Sequence, residues 1–274
     1  MTFRVALLGK PLRRRHSVVM HNAAFAAAGI DGRYELMEID EADVPAAVAA
    51  ARGSDFLGLG VTAPYKPLVA SLVDEIEADA AEIGAVNNVV RTADGRLIGF
   101  NTDAPGFRAG AEQAMAFPLT GARVVVAGAG GVARAIVHAC RAAGVASVTV
   151  GNRTLPRTIG GVEAVALDSE EFMAAVRDAD LAVNATTVGM VDPGATIPVD
   201  ELPQTATVFD CVYVPAETPL LAAARARGLT AANGSEMLIA QAAIAFERWT
   251  GVSGMEDIMR EAVAALLADP SAQA

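Results

Sequence analysis

Between Arg123 and Arg153 the chain reads RVVVAGAGGVARAIVHACRAAGVASVTVGNR, and no other stretch restricts the possible folds as much. Val124–Val126 is a short β-branched apolar run, as expected of a strand buried on both faces. Gly128, Ala129, Gly130, Gly131, Val132 and Ala133 follow in the pattern G-x-G-x-x-A. In such a loop the first glycine permits a tight turn and the second lets backbone approach a pyrophosphate. The third small residue lets helix and strand pack closely. Val132–Ala143 is alanine-rich and predicts a helix that stops at Gly144, and Ser147–Val150 predicts a second strand. Strand, glycine loop, helix and strand make a dinucleotide-binding unit, with the diphosphate at the positive end of the helix.

The residues after the second strand select the dinucleotide. A ribose with a free 2′-hydroxyl usually meets Asp or Glu about 20 residues beyond the glycines. Here the chain reads Gly151-Asn152-Arg153-Thr154, with Arg157 close behind and no acid. A guanidinium donates two parallel charge-assisted bonds, which suits a phosphate. This loop predicts NADP rather than NAD.

With 274 residues the chain suits two lobes. Its 53% hydrophobic and 19% charged content describes a folded protein with an ample core. The net charge of −11 opposes attraction to nucleic acid or anionic membrane. No apolar run reaches membrane-spanning length. Cys140 and Cys211 show no metal-ligand spacing and read as buried, reduced thiols, so no metal is expected and a cytoplasmic location is. Against the acidic background stands one basic cluster, Lys10, Arg13, Arg14 and Arg15.

Upstream of the dinucleotide unit, strands are expected at Arg4–Gly9, Arg33–Ile39 and Phe56–Val61, and helices at His21–Ala28, Val44–Arg52 and about Leu72–Ile83. Asn88–Arg91 and Leu97–Phe100 flank Ala93-Asp94-Gly95-Arg96, a hairpin signal. Alternating strands and helices imply an α/β fold with a largely parallel sheet. Downstream, strands are expected at Val162–Leu167, Leu181–Asn184 and Val208–Asp210. Helices are expected at Ser169–Val176, Pro219–Arg227, Ser235–Trp249 and Met255–Leu267.

Because the dinucleotide unit comes second, the groups that move a proton beside a hydride are sought before Val124. Lys66 follows a strand's carboxyl end in Gly58–Lys66 and is, with Lys10, one of two lysines in the chain. Its ammonium can exchange a proton, which a guanidinium cannot; equally, it suits a surface helix start. Asp103, in Gly99-Phe100-Asn101-Thr102-Asp103, is an acid at another strand-to-helix junction, suited to chemistry or to capping. Gly84-Ala85-Val86-Asn87-Asn88 offers side-chain amides that bind hydroxyls or make a turn.

These residues carry a family resemblance. GKP…HSVVMHNAAF, VTAPYK, GAVNN, GFNTDAPGF, GAGGVARA, GNRT, NATTVGM, FDCVYVPAETPLL and NGSEMLIAQAAIAFERWTG resemble the motifs of shikimate dehydrogenases, in that family's order and over nearly the full length. The resemblance implies an N-terminal α/β substrate lobe, a C-terminal Rossmann NADP-binding lobe and a cleft between them. By residue, 1–103 would bind substrate, closed by the helices of about 235–267, and 104–234 would bind the dinucleotide. It implies reversible NADP-dependent hydride transfer between shikimate and 3-dehydroshikimate, in aromatic amino acid biosynthesis. Lys66 and Asp103 are then the catalytic pair. Ser17, Thr62, Asn87 and Gln241 bind the substrate, with Tyr213 near its carboxylate. Asn152, Arg153, Thr154 and Arg157 hold the 2′-phosphate. Thr186 and the segment ending Gly189-Met190 line the cofactor, and Val212, Gly234 and Met237 approach the nicotinamide. The expected partner is a small cyclic hydroxy acid, with neither nucleic acid nor membrane, and the protein is expected as monomer or homodimer.

Departures fall where substrate is chosen. The family's S-x-S-P becomes Arg15, His16, Ser17 and Val18, its N-V-T becomes Gly60-Val61-Thr62, and Glu236 precedes Met237. Arg15 is a candidate partner for a carboxylate, since guanidinium pairs more strongly than a hydroxyl. These changes leave open a paralogue acting on quinate, aminoshikimate or another cyclic hydroxy acid. A non-catalytic NADP-binding sensor is the alternative of another class.

Overall fold

The computed structural model describes residues 2–12, 15–155, 157–190, 192 and 194–268. Arg13 and Arg14 of the basic cluster lie outside these. The chain divides into two compact units, one holding residues up to Thr102 and from Ile239 onward, the other Asp103–Leu238.

The first unit begins β1 (Phe3–Gly9), α1 (His16–Ala27), β2 (Gly32–Glu38), α2 (Val44–Ala50) and β3 (Phe56–Val61). It continues with α3 (Lys66–Ala70), β4 (Glu75–Ile76), α4 (Ala78–Ile83), β5 (Asn88–Arg91) and β6 (Leu97–Phe100). The sheet order is β2-β1-β3-β5-β6-β4. β1 runs parallel to β2 and β3, but β5 pairs antiparallel with β3 and β6, so the sheet is mixed rather than largely parallel. The turn explains the pairing of β5 with β6. A parallel neighbour needs a crossover of a dozen or more residues, whereas the Thr92 N–H already meets the Arg96 carbonyl at 2.9 Å. Leu8, Val48, Leu59, Val61, Val69, Val89 and Leu97 fill the core beneath.

Two expectations shift here. Helix α1 begins at His16 rather than His21. The helix expected over 72–83 forms only from Ala78, because the Asp74 and Glu77 amides donate to the Leu97 and Gly99 carbonyls (2.9 Å each) and make a sheet edge first.

The second unit contains α5 (Asp103–Met115), β7 (Arg123–Ala127), α6 (Gly131–Ala142), β8 (Ser147–Asn152), β9 (Thr158–Ile159), β10 (Val162–Glu163) and β11 (Val165–Ala166). It continues through α7 (Glu170–Arg177), β12 (Leu181–Asn184), β13 (Thr207–Asp210), α8 (Pro219–Ala226) and β14 (Thr230–Asn233). Among the described residues its main sheet has the order β11-β8-β7-β12-β13-β14, parallel throughout. That is the doubly wound arrangement, in which the order reverses beside the first strand. Val125, Phe172, Val176, Ala182, Val208, Leu220 and Leu221 form its core. The strand expected over 162–167 is split in two, since the Ala164 N–H turns to the Arg157 carbonyl at 2.8 Å. β14 was not expected, because Thr-Ala-Ala-Asn carries little β-branched or aromatic character.

α9 (Ser235–Thr250) and α10 (Glu256–Ala268) end the described chain. Within the first unit α10 packs on α1. Phe246 of α9 meets Phe25 edge-on, and the Trp249 indole N–H donates to the Val89 carbonyl at 2.9 Å. His21 stacks on Tyr34 at 4.4 Å, and its burial lowers its pKa to about 3, so the ring is neutral. No helix among the described residues is long and apolar enough to cross a membrane.

Candidate active site

In the second unit the glycine loop joins β7 to α6 where β8 lies on one side and β12 on the other. Gly128 adopts φ +110°, and a Cβ there would lie 2.9 Å from the Ala185 carbonyl oxygen and the Thr186 methyl. The loops leaving β7 and β12 therefore touch, which brings Thr186 to the fingerprint. Gly130 differs. It is extended, precedes the first residue of α6, and a Cβ there would meet nothing within 4 Å. Open space thus lies beside Gly130 at the start of α6, the end of a helix where a diphosphate is received. Ala129 and Ala133 are buried, fixing helix against strand.

Asn152 ends β8, and its side-chain amide donates to the Thr154 carbonyl at 2.8 Å, shaping the turn. Arg153, Thr154 and Arg157 are exposed there, and the loop offers no carboxylate to a ribose. Gly189 follows the β12 loop with φ +92°. Val212 is buried just past β13, and its amide donates to Asp210 Oδ1 at 3.0 Å. A Cβ at Gly234 would lie 2.4 Å from the Cys211 carbonyl oxygen, and Met237 is buried against α5 at Gly110. Loops from five parallel strands thus bring the candidate cofactor residues to one end of the sheet. These residues fit NADP. Asp103, buried, opens α5 in this unit, and Tyr213 is partly exposed in the loop after β13.

In the first unit the carboxyl ends of β1, β3 and β6 coincide with the start of β5, because β5 runs the opposite way. Thr62 follows β3 with its amide on the Leu8 carbonyl at 2.9 Å, and Lys66 opens α3. The buried Asn87 side chain accepts the Thr102 amide (2.9 Å) and the Asn88 amide (2.9 Å), and donates to the Thr102 hydroxyl (3.1 Å). Thr62, Lys66 and Asn87 therefore share one edge. Ser17 lies in the first turn of α1 beside the exposed Arg15, and is hydrogen-bonded to the Tyr34 phenol, a contact that opposes the upward push of burial on that phenol. Gln241 is partly buried on α9. Among the described residues no group of His, Cys, Asp or Glu is placed to hold a metal. Cys140 is buried on α6, whereas Cys211 lies just past β13 and is partly exposed.

Residues 7–89 match the family described as "Shikimate dehydrogenase substrate binding domain", and residues 234–264 the one described as "Shikimate 5'-dehydrogenase C-terminal domain". A shikimate dehydrogenase (NADP(+)) of Symbiobacterium thermophilum is 39% identical, over 96% of this chain and 94% of its own. The chain belongs to the shikimate dehydrogenase family. Among solved members, shikimate 5-dehydrogenase from Thermus thermophilus, in complex with NADP(H) and shikimate, superposes with a TM-score of 0.84 at 38% identity, covering 95% of this chain and 100% of that one. Quinate dehydrogenase from Corynebacterium glutamicum, in complex with NAD, superposes at 0.88 with 33% identity, covering 96% and 99%.

Where the shikimate dehydrogenase motif has N-V-T, a Cβ at Gly60 would lie 2.5 Å from the Tyr34 hydroxyl oxygen and 3.1 Å from Leu7. A tyrosine thus occupies the space that an asparagine side chain would enter. Sequence reasoning misses Tyr34, and also Thr102, Asn184, Asp210 and Thr218, which are buried and hydrogen-bonded at strand ends or in the loops that follow. The available signal is a single polar residue closing an apolar strand, as in Leu181-Ala-Val-Asn184 and Thr207-Val-Phe-Asp210.

Proposed function

We propose that this protein catalyses the reversible oxidation of shikimate by NADP: the ring carbinol loses a hydride and a proton, giving 3-dehydroshikimate, NADPH and a released proton. The acid-free arginine loop after β8, in a chain whose near-full-length relative is named for NADP(+), carries this reading. Bound NADP supplies the hydride acceptor. Gly128–Ala133 would receive its diphosphate, Asn152–Thr154 and Arg157 its 2′-phosphate, and Thr186, Gly189, Met190, Val212, Gly234 and Met237 its remaining length.

Lys66 takes the proton of the reacting hydroxyl, and Asp103 holds either that hydroxyl or the ammonium. Ser17, Thr62, Asn87 and Gln241 orient the substrate, with Tyr213 and Arg15 toward its carboxylate. The cytoplasm, a monomeric or homodimeric state and a place in aromatic amino acid biosynthesis belong to the same proposal. Quinate is the second reading, favoured by Gly60 and Arg15 and by the likeness to a quinate dehydrogenase.

Formation of reduced nicotinamide, followed by absorbance with shikimate or quinate and with NADP or NAD, separates these. Saturable turnover with shikimate and NADP is expected, and turnover with quinate alone would replace the substrate. Lys66→Ala should abolish turnover while NADPH affinity stays near that of the wild type. Activity within a few-fold of wild type would remove Lys66 from its role.

A further inference from the structure

Asp210 ends β13 with no exposed surface, and among the described residues its carboxylate's hydrogen-bond partners are neutral. Oδ1 accepts the Asn184 side-chain amide at 2.8 Å and the Val212 backbone amide at 3.0 Å. Oδ2 accepts the Thr218 hydroxyl at 2.6 Å, and that hydroxyl in turn accepts the Leu221 amide at the start of α8, at 3.3 Å. Across the sheet, Asn184 Oδ1 accepts both the amide and the hydroxyl of Thr186, at 3.1 and 2.7 Å. An unbroken series of bonds therefore runs from Val212 through Asp210 and Asn184 to Thr186.

Burying a carboxylate without a cation is unfavourable, and burial does raise the pKa of Asp210. An apolar residue would pack there at lower cost. What a carboxylate alone provides is acceptor capacity toward three donors at once. An asparagine would keep one oxygen for Asn184 and Val212, but it would put an N–H toward the Thr218 hydroxyl, which must then accept instead of donate, and it would remove the charge. Two of the donors lie between β13 and α8, and the third, Asn184, ends β12 and holds Thr186 of the following loop; that loop is seated against Gly128, whose Cβ would clash with Ala185.

We propose that Asp210 is a positioning residue for the nicotinamide half of the cofactor site, its carboxylate clasping the loops after β12 and β13 into one geometry. This rests on the proposed function, in which Thr186 and Val212 meet that half. The adenosine half lies on the loops after β7 and β8 and is held without the clasp.

The test compares two ligands on the full chain: NADPH, which spans both halves, and adenosine 2′,5′-bisphosphate, which reaches only the loops after β7 and β8. Asp210→Asn should weaken NADPH about tenfold by fluorescence titration, the effect of one lost charge-assisted bond. Bisphosphate affinity should stay within about twofold of wild type by that measure. Unchanged NADPH affinity in folded Asp210→Asn, or equal weakening of both ligands, overturns the clasp. If Asp210→Asn does not fold, Thr218→Val must show the same split at smaller size, and equal weakening there overturns it as well. A wild-type chain that does not bind NADPH overturns the proposed function itself, whereas binding without the split overturns only the clasp.

Discussion

Gly60 sits on β3 with the Tyr34 hydroxyl oxygen in the volume a Cβ would take. Tyr34 cannot easily yield. The Asn22 side chain holds its backbone from both sides (2.8 and 3.1 Å), and His21 covers its ring. Gly60→Ala is therefore expected to destabilise by about 1–3 kcal/mol in denaturant unfolding, as overpacked cores do. Tyr34→Phe should return most of that loss, since the next ring atom lies at 3.5 Å. Additive losses in the double variant would show that the two positions do not share this space. The sequence marks Gly60 as a departure but hides its cause. Tyr34 pairs with Val5 and Leu7 pairs with Gly60, so the tyrosine reaches diagonally across β1, and no periodicity encodes a diagonal. Lys66, Asn87 and Asp103 are legible as polar residues at the junctions between elements. Asn184 and Asp210 are not, because one polar residue after an apolar strand equally signals a turn.

The element that the sequence announces most clearly, the β7–α6 junction, needs Gly128 and Gly130 for different reasons. Gly128 has a backbone conformation that side chains rarely adopt and carbonyl oxygen at 2.9 Å from any Cβ. Gly128→Ala should lower folding stability by about 1–3 kcal/mol. Gly130 is extended and opens on empty space. Gly130→Ala should leave thermal unfolding nearly unchanged yet weaken NADPH binding about tenfold or more, by intruding where the diphosphate approaches. Comparable stability losses in both variants would refute the distinction. Strands built from apolar runs, such as β3, β7 and β12, are readable because their pattern matches what burial demands. β4 and β14 are two- and four-residue edge strands whose pairing is set by the neighbouring strand. Their own residues carry little of that information.

At the scale of the whole molecule, a ligand that binds only the folded chain stabilises it by mass action. NADPH at a hundredfold excess over its dissociation constant should contribute about 2.7 kcal/mol, and raise the melting temperature by roughly 5 °C. NADH at equal concentration should shift it far less. Equal shifts would mean that the arginine loop does not read the 2′-phosphate. The division into two units follows from where the glycine loop falls in the chain. The return of the last helices to the first unit is not visible in their own pattern, only through the resemblance. That return bears on how the protein is made. The second unit is contiguous, while the first recruits α9 and α10 from the far end, with α10 on α1 and Phe246 on Phe25. On the ribosome the opening hundred or so residues must wait for the last helices to emerge, while the segment between them can already fold. Synthesis order and folding order are then reversed, and until α10 emerges the face of α1 that it covers stays exposed.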